Sequence, residues 1–300
     1  MQRSLRNLLF IVLLVFTKSG FLSNIQAKDL FPAYLIEIPD SIQSVLIADT
    51  ENATLIHYSV AKRKLIKSDE SYMSIGLKGS GKQKQGDKKT PIGTYFITKK
   101  LDASKLPLKY GAAAYPLDYP NAWDRYNDKT GYGIWLHGTN PNISKRPPFD
   151  TDGCLVLPNK EIIQLSSTLA LMVTPVIITE KLHWKSLAEI TLIRDEIHGV
   201  LDAWKRSFEE SKLERFLSFY EPNPSVIPMT EHSIINNLSI INKSMIIEDL
   251  MIIGEPSGED VVLSRFTQKI KYNDIIEIKK RRLYWRKQKD GWKIITTDII

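Results

Sequence analysis

Short β-rich runs separated by turn residues make up most of this 300-residue chain, and only one long segment has helical spacing. The apolar runs 45–49 and 54–58 are joined by a short polar link, which predicts a β-hairpin. Further strands are predicted at 71–76, 94–98 and 175–179. Strands therefore dominate the predicted structure of the first half of the chain.

A second unit is predicted to begin near Lys185, where the pattern changes. Apolar side chains recur at helical spacing over 186–218. Strands are then predicted at 239–241, 245–253, 261–270, 274–287 and 292–300, with a hairpin turn at Asp290-Gly291. This order predicts an α+β module whose helices pack on a curved antiparallel sheet.

The N-terminus has the pattern of an export signal. Arg3 and Arg6 precede a nine-residue apolar run, Leu8–Phe16, whereas a bilayer-spanning helix needs about 20 residues. The pattern predicts a signal peptide at 1–27, cut after Ala27. The alternative is an uncleaved anchor extended through Ile25. The length fits about two further domains, which we predict at 28–182 and 186–300.

The charge excess is mild once the predicted signal peptide is removed. The full chain carries 41 basic and 34 acidic residues, a net charge of +7. Residues 1–27 hold three basic and no acidic residues, so the remainder has 38 basic residues and a net charge of +4. This suits contact with an anionic polymer or lipid headgroups. Aromatic and basic residues are not interleaved as in a nucleic-acid-binding sheet, so no nucleic-acid partner is expected.

Cys154 is the only cysteine of the chain. Exported proteins usually pair their cysteines or lack them, so a single cysteine indicates an intermolecular bond, a free, reactive thiol or an inert, buried one. His137 and Cys154 each end an apolar strand-like run beside a glycine. A histidine within reach can take the thiol proton and return it to a leaving amine. Gly153 permits a tight turn, and the N–H groups of Gly153 and Cys154 could face a developing oxyanion.

Two other kinds of site are disfavoured by the sequence. The glycine-rich loop 79–93 lacks the Gly-Lys-Ser/Thr ending of a phosphate-binding loop, and a strand follows it instead of a helix. The turn Asp87-Lys88-Lys89 within it is predicted to be solvated. His57, His183, His198 and His232 have no neighbours at metal-ligand spacing, so we expect neither a metal nor a cofactor.

Three ordered motifs then carry a family resemblance. They are Thr90-Pro91-Ile92-Gly93, His137-Gly138 and Thr151-Asp152-Gly153-Cys154. Over about 34–180, the chain resembles the L,D-transpeptidase catalytic (YkuD) domain, which implies a mostly β, YkuD-like β-sandwich. The resemblance implies that Cys154 is the nucleophile and His137 the general base and acid. It also implies that Gly153, Asp152, Thr151, Gly138 and Thr139 shape the site.

The implied substrate is a peptidoglycan stem peptide. In this family the cysteine attacks the carbonyl of meso-diaminopimelate and releases the terminal D-alanine, leaving an acyl-enzyme. An amine acceptor gives a 3-3 cross-link or a lipoprotein attachment, and water gives hydrolysis. A non-catalytic wall-binding protein is a further alternative. The chemistry implies the periplasm of a Gram-negative bacterium.

The chain departs from the family after the cysteine. Many members continue Gly-Cys-Ile-Arg, but here the arginine position is Val156. Lys145 or Arg146 in the preceding loop could meet a substrate carboxylate instead, or could belong to a solvated loop. Trp123 and Tyr132, from the aromatic-rich segment 101–133, are further substrate-binding candidates, unless these rings only pack that segment onto the sheet.

The second unit resembles the nuclear-transport-factor-2-like (SnoaL-like) fold. Modules of this kind often form a ligand pocket or a homodimer, and the fold alone does not specify a function. Cell-shape L,D-carboxypeptidases of curved and helical bacteria resemble the pairing of the two units. Together with the absent arginine, this resemblance favours trimming of tetrapeptides to tripeptides.

Overall fold

The computed structural model of the protein describes residues 30–62, 64–143, 145–221, 235–236, 238, 240 and 242–300. The strands of these residues are β1 (Leu30–Pro32), β2 (Leu35–Glu37), β3 (Ser44–Asp49), β4 (Thr54–Ala61), β5 (Lys64–Tyr72), β6 (Ile75–Gly76), β7 (Gly93–Phe96), β8 (Ala114–Pro116), β9 (Trp135–His137), β10 (Phe149–Thr151), β11 (Leu155–Val156), β12 (Pro175–Thr179), β13 (Trp184–Ser186), β14 (Lys243–Gly254), β15 (Val261–Tyr272), β16 (Ile275–Gln288) and β17 (Gly291–Ile299). The α-helices are α1 (Ala122–Tyr126), α2 (Asn159–Ser166), α3 (Leu187–Glu209) and α4 (Leu213–Leu217).

The predicted signal peptide at 1–27 lies outside the described residues, as do Ser239 and Ile241 of the strand predicted at 239–241. Within the described part of the chain, no helix has the length and apolar character needed to cross a membrane.

A five-stranded sheet in the order β5-β4-β3-β12-β7 forms the centre of the first unit. The predicted hairpin is confirmed, because β3 and β4 pair antiparallel from Ser44↔Ser59 to Asp49↔Thr54. Every residue of β3 is buried. A strand reads as a continuous apolar run when both faces of its sheet are covered.

The two faces of this sheet belong to two different cores. Leu46 and Ala48 point into a core shared with Tyr115, Leu136, Leu155 and Ile162 of the first unit. Val45 and Ile47 point the other way, into a core shared with Met251, Leu263 and Tyr284 of the second unit. The alternation of side chains along a strand produces this division.

The second unit has the predicted α+β order. Strands β14 to β17 form an antiparallel sheet, and α3 packs on it. Ser186 and Glu189 form a capping box that starts α3. Its buried stripe has helical spacing and comprises Ile190, Ile197, Leu201, Trp204 and Phe208. The last hairpin turn lies one residue earlier than predicted, at Lys289-Asp290, because Gly291 already pairs with Gln288.

The N-terminal strands pair with the second unit. β2 adds a fifth strand to the C-terminal sheet, with Glu37 opposite Ile252 and Leu35 opposite Ile253. β1 pairs antiparallel with β13, from Leu30↔Ser186 to Pro32↔Trp184. The segment 30–37 is thus hydrogen-bonded to strands beyond residue 183, while the domain boundary at 182/186 stays a prediction.

Candidate active site

The candidate site lies on a small three-stranded sheet in the order β11-β9-β8. β9 and β11 run parallel, with Leu136 opposite Leu155, and both leucines are fully buried in the core. Cys154 immediately precedes β11. Because side chains alternate along a strand, Cys154, Trp135 and His137 share the opposite face. The sequence motifs are therefore brought together as predicted.

A pocket of about 260 Å³ opens on this face. Its lining includes the predicted residues His137, Arg146, Thr151, Asp152 and Cys154, and also Leu77, Lys109, Tyr110, Gly133 and Asp150. Typical ligand sites measure about 300–1,000 Å³. A pocket of this size holds one end of a larger ligand rather than the whole of it.

His137 is buried and anchored through one ring nitrogen. Its Nδ1 lies 2.7 Å from the carbonyl oxygen of Gly138. A carbonyl only accepts hydrogen bonds, so Nδ1 carries the proton of the neutral ring and Nε2 is left as the acceptor. Burial lowers the pKa of His137 to about 4, and the cations Arg146 and Lys109 add to that effect. The ring is therefore a neutral base at physiological pH.

The Cys154 thiol is also neutral at rest. Its Sγ lies 3.5 Å from the carbonyl oxygen of Gly133. Burial raises the pKa of the thiol to about 11, although the backbone of Trp135 and the two nearby cations lower it in part. In the described structure, no hydrogen bond joins Sγ to His137. Catalytic hydrogen bonds often tighten only when substrate binds, so proton transfer would accompany attack on substrate.

The turn before the cysteine is fixed by threonine side chains. Thr151 Oγ1 accepts the N–H of Gly153 at 3.0 Å and donates to the carbonyl of Cys154 at 2.9 Å. Thr90 Oγ1 donates to the carbonyl of Gly153 at 3.0 Å. The predicted role of the Gly153 N–H toward an oxyanion is therefore wrong, because Thr151 already occupies it. The N–H of Cys154 has no acceptor among the described residues and is the better oxyanion donor.

Position 153 requires a glycine, both for its backbone conformation and for the space around it. Its φ is +127°, and a Cβ there would lie 2.6 Å from the carbonyl oxygen of Lys89. In the loop that carries Lys89, Lys88 is exposed as predicted for a solvated turn, whereas Asp87 is only partly exposed and is hydrogen-bonded. The Asp87 carboxylate pairs with the buried Lys82 at 2.7 Å and accepts backbone N–H groups of Gln83 and Lys84. Burial alone would raise the pKa of Asp87, but these donors lower it to about 2.

The glycine after the histidine is held by Asn159. A Cβ at Gly138 would lie 2.3 Å from Asn159 Oδ1. Asn159 Nδ2 donates to the carbonyl of Thr139 at 2.9 Å, while the Thr139 side chain is buried. Asparagine is a common N-cap residue, but Pro158 and not Asn159 holds the N-cap position of α2. The asparagine side chain is already bound to the backbone of the site.

The substrate-binding candidates separate into two groups. Arg146 lines the pocket, and its Nε donates to Asp150 Oδ2 at 2.9 Å. Lys145 instead lies over the ring of Tyr72. Tyr132 is 75% exposed but outside the pocket lining. Trp123 is 3% exposed and stacks on Tyr284 of the second unit, so its position does not support a contact with substrate.

Sequence reasoning missed Lys109 and did not single out Tyr110 among the loop aromatics. The Tyr110 ring packs on Trp135 at 4.6 Å and meets the edge of His137 at 5.1 Å. Both residues lie on a 3-10 turn, Leu108–Tyr110, that no motif marks. The residues around this turn show neither helical nor strand-like periodicity. The sequence therefore gives no signal that would have identified Lys109 and Tyr110 as pocket residues.

A metal centre has no support in the described residues, since no cluster of three or more His, Cys, Asp or Glu side chains occurs among them.

A partly buried cysteine and an Nδ1-anchored histidine lie on neighbouring strands of a β-sandwich, which is the arrangement of a candidate thiol-type site. Residues 43–178 match the model of the L,D-transpeptidase catalytic domain (YkuD). This part of the chain is therefore similar to the L,D-transpeptidase catalytic domain, and the resemblance seen in the sequence is confirmed. No curated protein matches the chain significantly in sequence.

Two solved structures resemble nearly the whole chain. Bd1075 of Bdellovibrio bacteriovorus is 25% identical with a TM-score of 0.75, over 90% of this chain and 98% of that one. The helical cell shape determining protein Pgp2 of Campylobacter jejuni is 24% identical with a TM-score of 0.72, over 89% and 95% of the two chains. The predicted architecture, a mostly β domain followed by an α+β module, is confirmed.

Proposed function

We propose that the protein is a periplasmic L,D-carboxypeptidase that trims peptidoglycan tetrapeptides to tripeptides through an acyl-enzyme on Cys154. The observation that carries the proposal is the placement of Cys154 beside His137, whose Nε2 is free to accept, within a YkuD domain. The likeness in fold to Pgp2, a cell-shape determining protein, supports a role in cell shape. The signal-peptide pattern supports export.

The first half-reaction follows from the neutral pair. As Sγ attacks the carbonyl carbon of meso-diaminopimelate, His137 Nε2 takes the thiol proton. The N–H of Cys154 stabilises the oxyanion. When the intermediate collapses, the carbon–nitrogen bond breaks and the imidazolium gives its proton to the D-alanine amine. D-Alanine leaves, and a thioester to Cys154 remains.

The second half-reaction uses the same groups. His137 Nε2 takes a proton from a water molecule that attacks the thioester. Collapse breaks the carbon–sulfur bond, and the proton returns to Sγ as the tripeptide carboxylate leaves. An amine of a second stem in place of water would give a cross-link with the same proton transfers. The acceptor therefore decides between hydrolysis and transpeptidation.

Two cations at the pocket suit a substrate that carries carboxylates. Lys109 and Arg146 both line the pocket with Cys154. The family arginine position is taken by Val156, which is buried. The guanidinium of Arg146, from the loop before the cysteine, thus lies at the pocket. Its Nε and Nη2 already donate to Asp150, so a substrate carboxylate would meet its remaining N–H groups. Arg pairs well with carboxylates because its donors form a planar fork.

Incubation of the protein with disaccharide-tetrapeptide tests the proposal, with products separated and weighed by mass spectrometry. We expect tripeptide and D-alanine in equal amounts. Cross-linked dimers would instead make the protein a transpeptidase, and full recovery of the tetrapeptide would contradict both activities and leave a wall-binding role.

The Cys154→Ala variant tests the role of the nucleophile. We expect its turnover to fall by at least about 10³-fold, because nucleophile and base act as a unit. Its thermal unfolding midpoint should stay close to that of the wild type, which shows that chemistry and not folding is lost. Residual turnover near the wild-type rate would remove Cys154 from the mechanism.

A further inference from the structure

Asn159 joins three segments of the site without reaching the pocket. Its Oδ1 accepts the N–H of Ala112 at 2.9 Å, and its Nδ2 donates to the carbonyl of Thr139 at 2.9 Å. Ala112 follows the turn that carries Lys109 and Tyr110, and Thr139 follows His137-Gly138. The side chain thus ties the start of α2 to the loop on one side of the histidine and to the strand end on the other.

The Asn159 amide packs closely against two glycines. A Cβ at Gly111 would lie 2.4 Å from Asn159 Oδ1, and a Cβ at Gly138 would lie 2.3 Å from the same atom. The N–H of Gly138 also donates to the carbonyl of Ala113 at 2.9 Å. A Cβ at Gly111 would also lie 2.4 Å from the backbone carbon of Gly138, so the two glycines permit both the close approach of the backbones and the amide bridge between them.

Tyr110, on the loop that Asn159 holds, contacts the ring of His137. Its ring meets His137 edge-on at 5.1 Å and covers Trp135 on the same face. If the loop 109–112 moved away, the His137 ring would lose its cover and would become accessible to water. The charged groups nearest to the ring, Arg146 and Lys109, would move relative to it as well.

We propose that Asn159 is a positioning residue, which holds the Tyr110 loop over His137 and thereby keeps the imidazole buried and oriented toward Cys154. This inference rests on the proposed function for its kinetic consequences only. The position and ionisation of His137 can be measured without a substrate, so failure of the proposed activity would leave this test intact.

The test compares the Asn159→Ser variant with Asn127→Ala. Serine and asparagine have similar helix propensities, but the serine hydroxyl is too short to bridge Ala112 and Thr139. Asn127 also bonds a backbone carbonyl, that of Trp123 at 2.7 Å, and does not line the pocket. NMR titration of the histidine ring protons gives the pKa of His137, with the signal assigned by its loss in His137→Gln.

We expect Asn159→Ser to raise the pKa of His137 by one unit or more from its low value toward the ordinary 6.5, and Asn127→Ala to leave it unchanged. With tetrapeptide as substrate, kcat/KM at pH 7 should fall about 10- to 100-fold, as for small misplacements of a catalytic group. The acid limb of its pH profile should move upward with the pKa.

A double-mutant cycle with Gly138→Ala provides a second measurement if one variant is unstable. A Cβ at Gly138 would meet the Asn159 amide at 2.3 Å and, less severely, the backbone N of Ala112 at 2.9 Å. Because Asn159→Ser removes the closer of these two contacts, Gly138→Ala should cost less kcat/KM in that background than in the wild type. An unchanged His137 pKa in Asn159→Ser would overturn the proposal, and so would additive effects in the cycle.

Discussion

The two faces of the central sheet carry the two halves of this molecule, and they are stabilised in different ways. The face toward the catalytic pocket is covered by an apolar core, and the polar groups of the site lie beyond that core at a pocket. The face toward the second unit has an apolar core and also buried charges, among them Arg282 with Asp118 and Asp298.

The two faces differ in how their buried ionisable groups are stabilised. At the pocket, Cys154 and His137 are kept neutral, which avoids the cost of burying charge, and the ion pair of Lys82 with Asp87 lies in the loop beside it. On the other side, charges are buried but paired across the units, because Asp118 belongs to the first unit and Arg282 to the second. One face is therefore suited to proton transfer and the other to fixed attachment.

Breaking the charged attachment should have the largest effect on stability. The Arg282→Ala variant leaves Asp118 and Asp298 buried without their cation, which we expect to cost about 3–5 kcal/mol of unfolding free energy. Chemical denaturation measures it. Lys181→Ala, which removes an exposed pair with Glu51, is the control and should cost about 0–1 kcal/mol. Equal losses in the two variants would refute a special role for the buried pair.

The contributions of the two faces to the free energy of unfolding should change with pH in opposite directions. Burial lowers the pKa of His137 from 6.5 to about 4, so the unfolded chain binds more protons between these values and stability is lost as pH falls through this window. Burial raises the pKa of Glu255, at the contact between units, from 4.5 to about 7. There the folded chain binds more protons, so stability is lost as pH rises through that window.

The pH windows of His137 and Glu255 overlap, so their contributions to stability largely cancel in the wild type. Variants that remove one of the two groups should reveal the contribution of the other. Each is on the order of 3 kcal/mol at full extent. Between pH 4.5 and 7, His137→Gln should lose stability with rising pH, and Glu255→Gln should gain it. Unfolding free energies across this range provide the measurement. Parallel slopes in the two variants would be inconsistent with the opposite shifts.

The smallest expected effect concerns Trp123, which the sequence suggested as a substrate contact. Its Nε1 donates to Ser257 Oγ at 2.8 Å, and its ring stacks on Tyr284. Trp123→Phe should cost about 1 kcal/mol through the lost hydrogen bond, with kcat and KM for tetrapeptide unchanged. A several-fold rise in KM would instead return Trp123 to the substrate site.

Much of the fold could be predicted because local patterns and tertiary structure agree. The hairpin of β3 and β4, the long helix α3 and the final strands all follow from periodicity and turn residues. The pairing of β2 with β14 could not be predicted in this way, because it joins residues more than 200 positions apart. Periodicity reports which face is buried and not which distant strand covers the edge.

The site shows the same limit. His137 and Cys154 were predictable because their chemistry and motifs are distinctive, and the structure brings them together. Asn159 reads as a helix cap from its local sequence, since asparagine favours that position, but contacts with Ala112 and Thr139 determine its role. Trp123 reads as a binding aromatic because a loop sequence does not reveal that a second unit covers it.

The pairing of β2 with β14 has a consequence for how the chain can be divided. An unpaired strand edge is a template for association between molecules. Cutting the chain near residue 182 would separate β2 from the sheet that it completes, leaving the edge of β14 open on one fragment and Leu35 and Ile36 uncovered on the other. Each fragment would be prone to aggregate, so a gene fragment encoding the catalytic unit alone is a poor choice for expression.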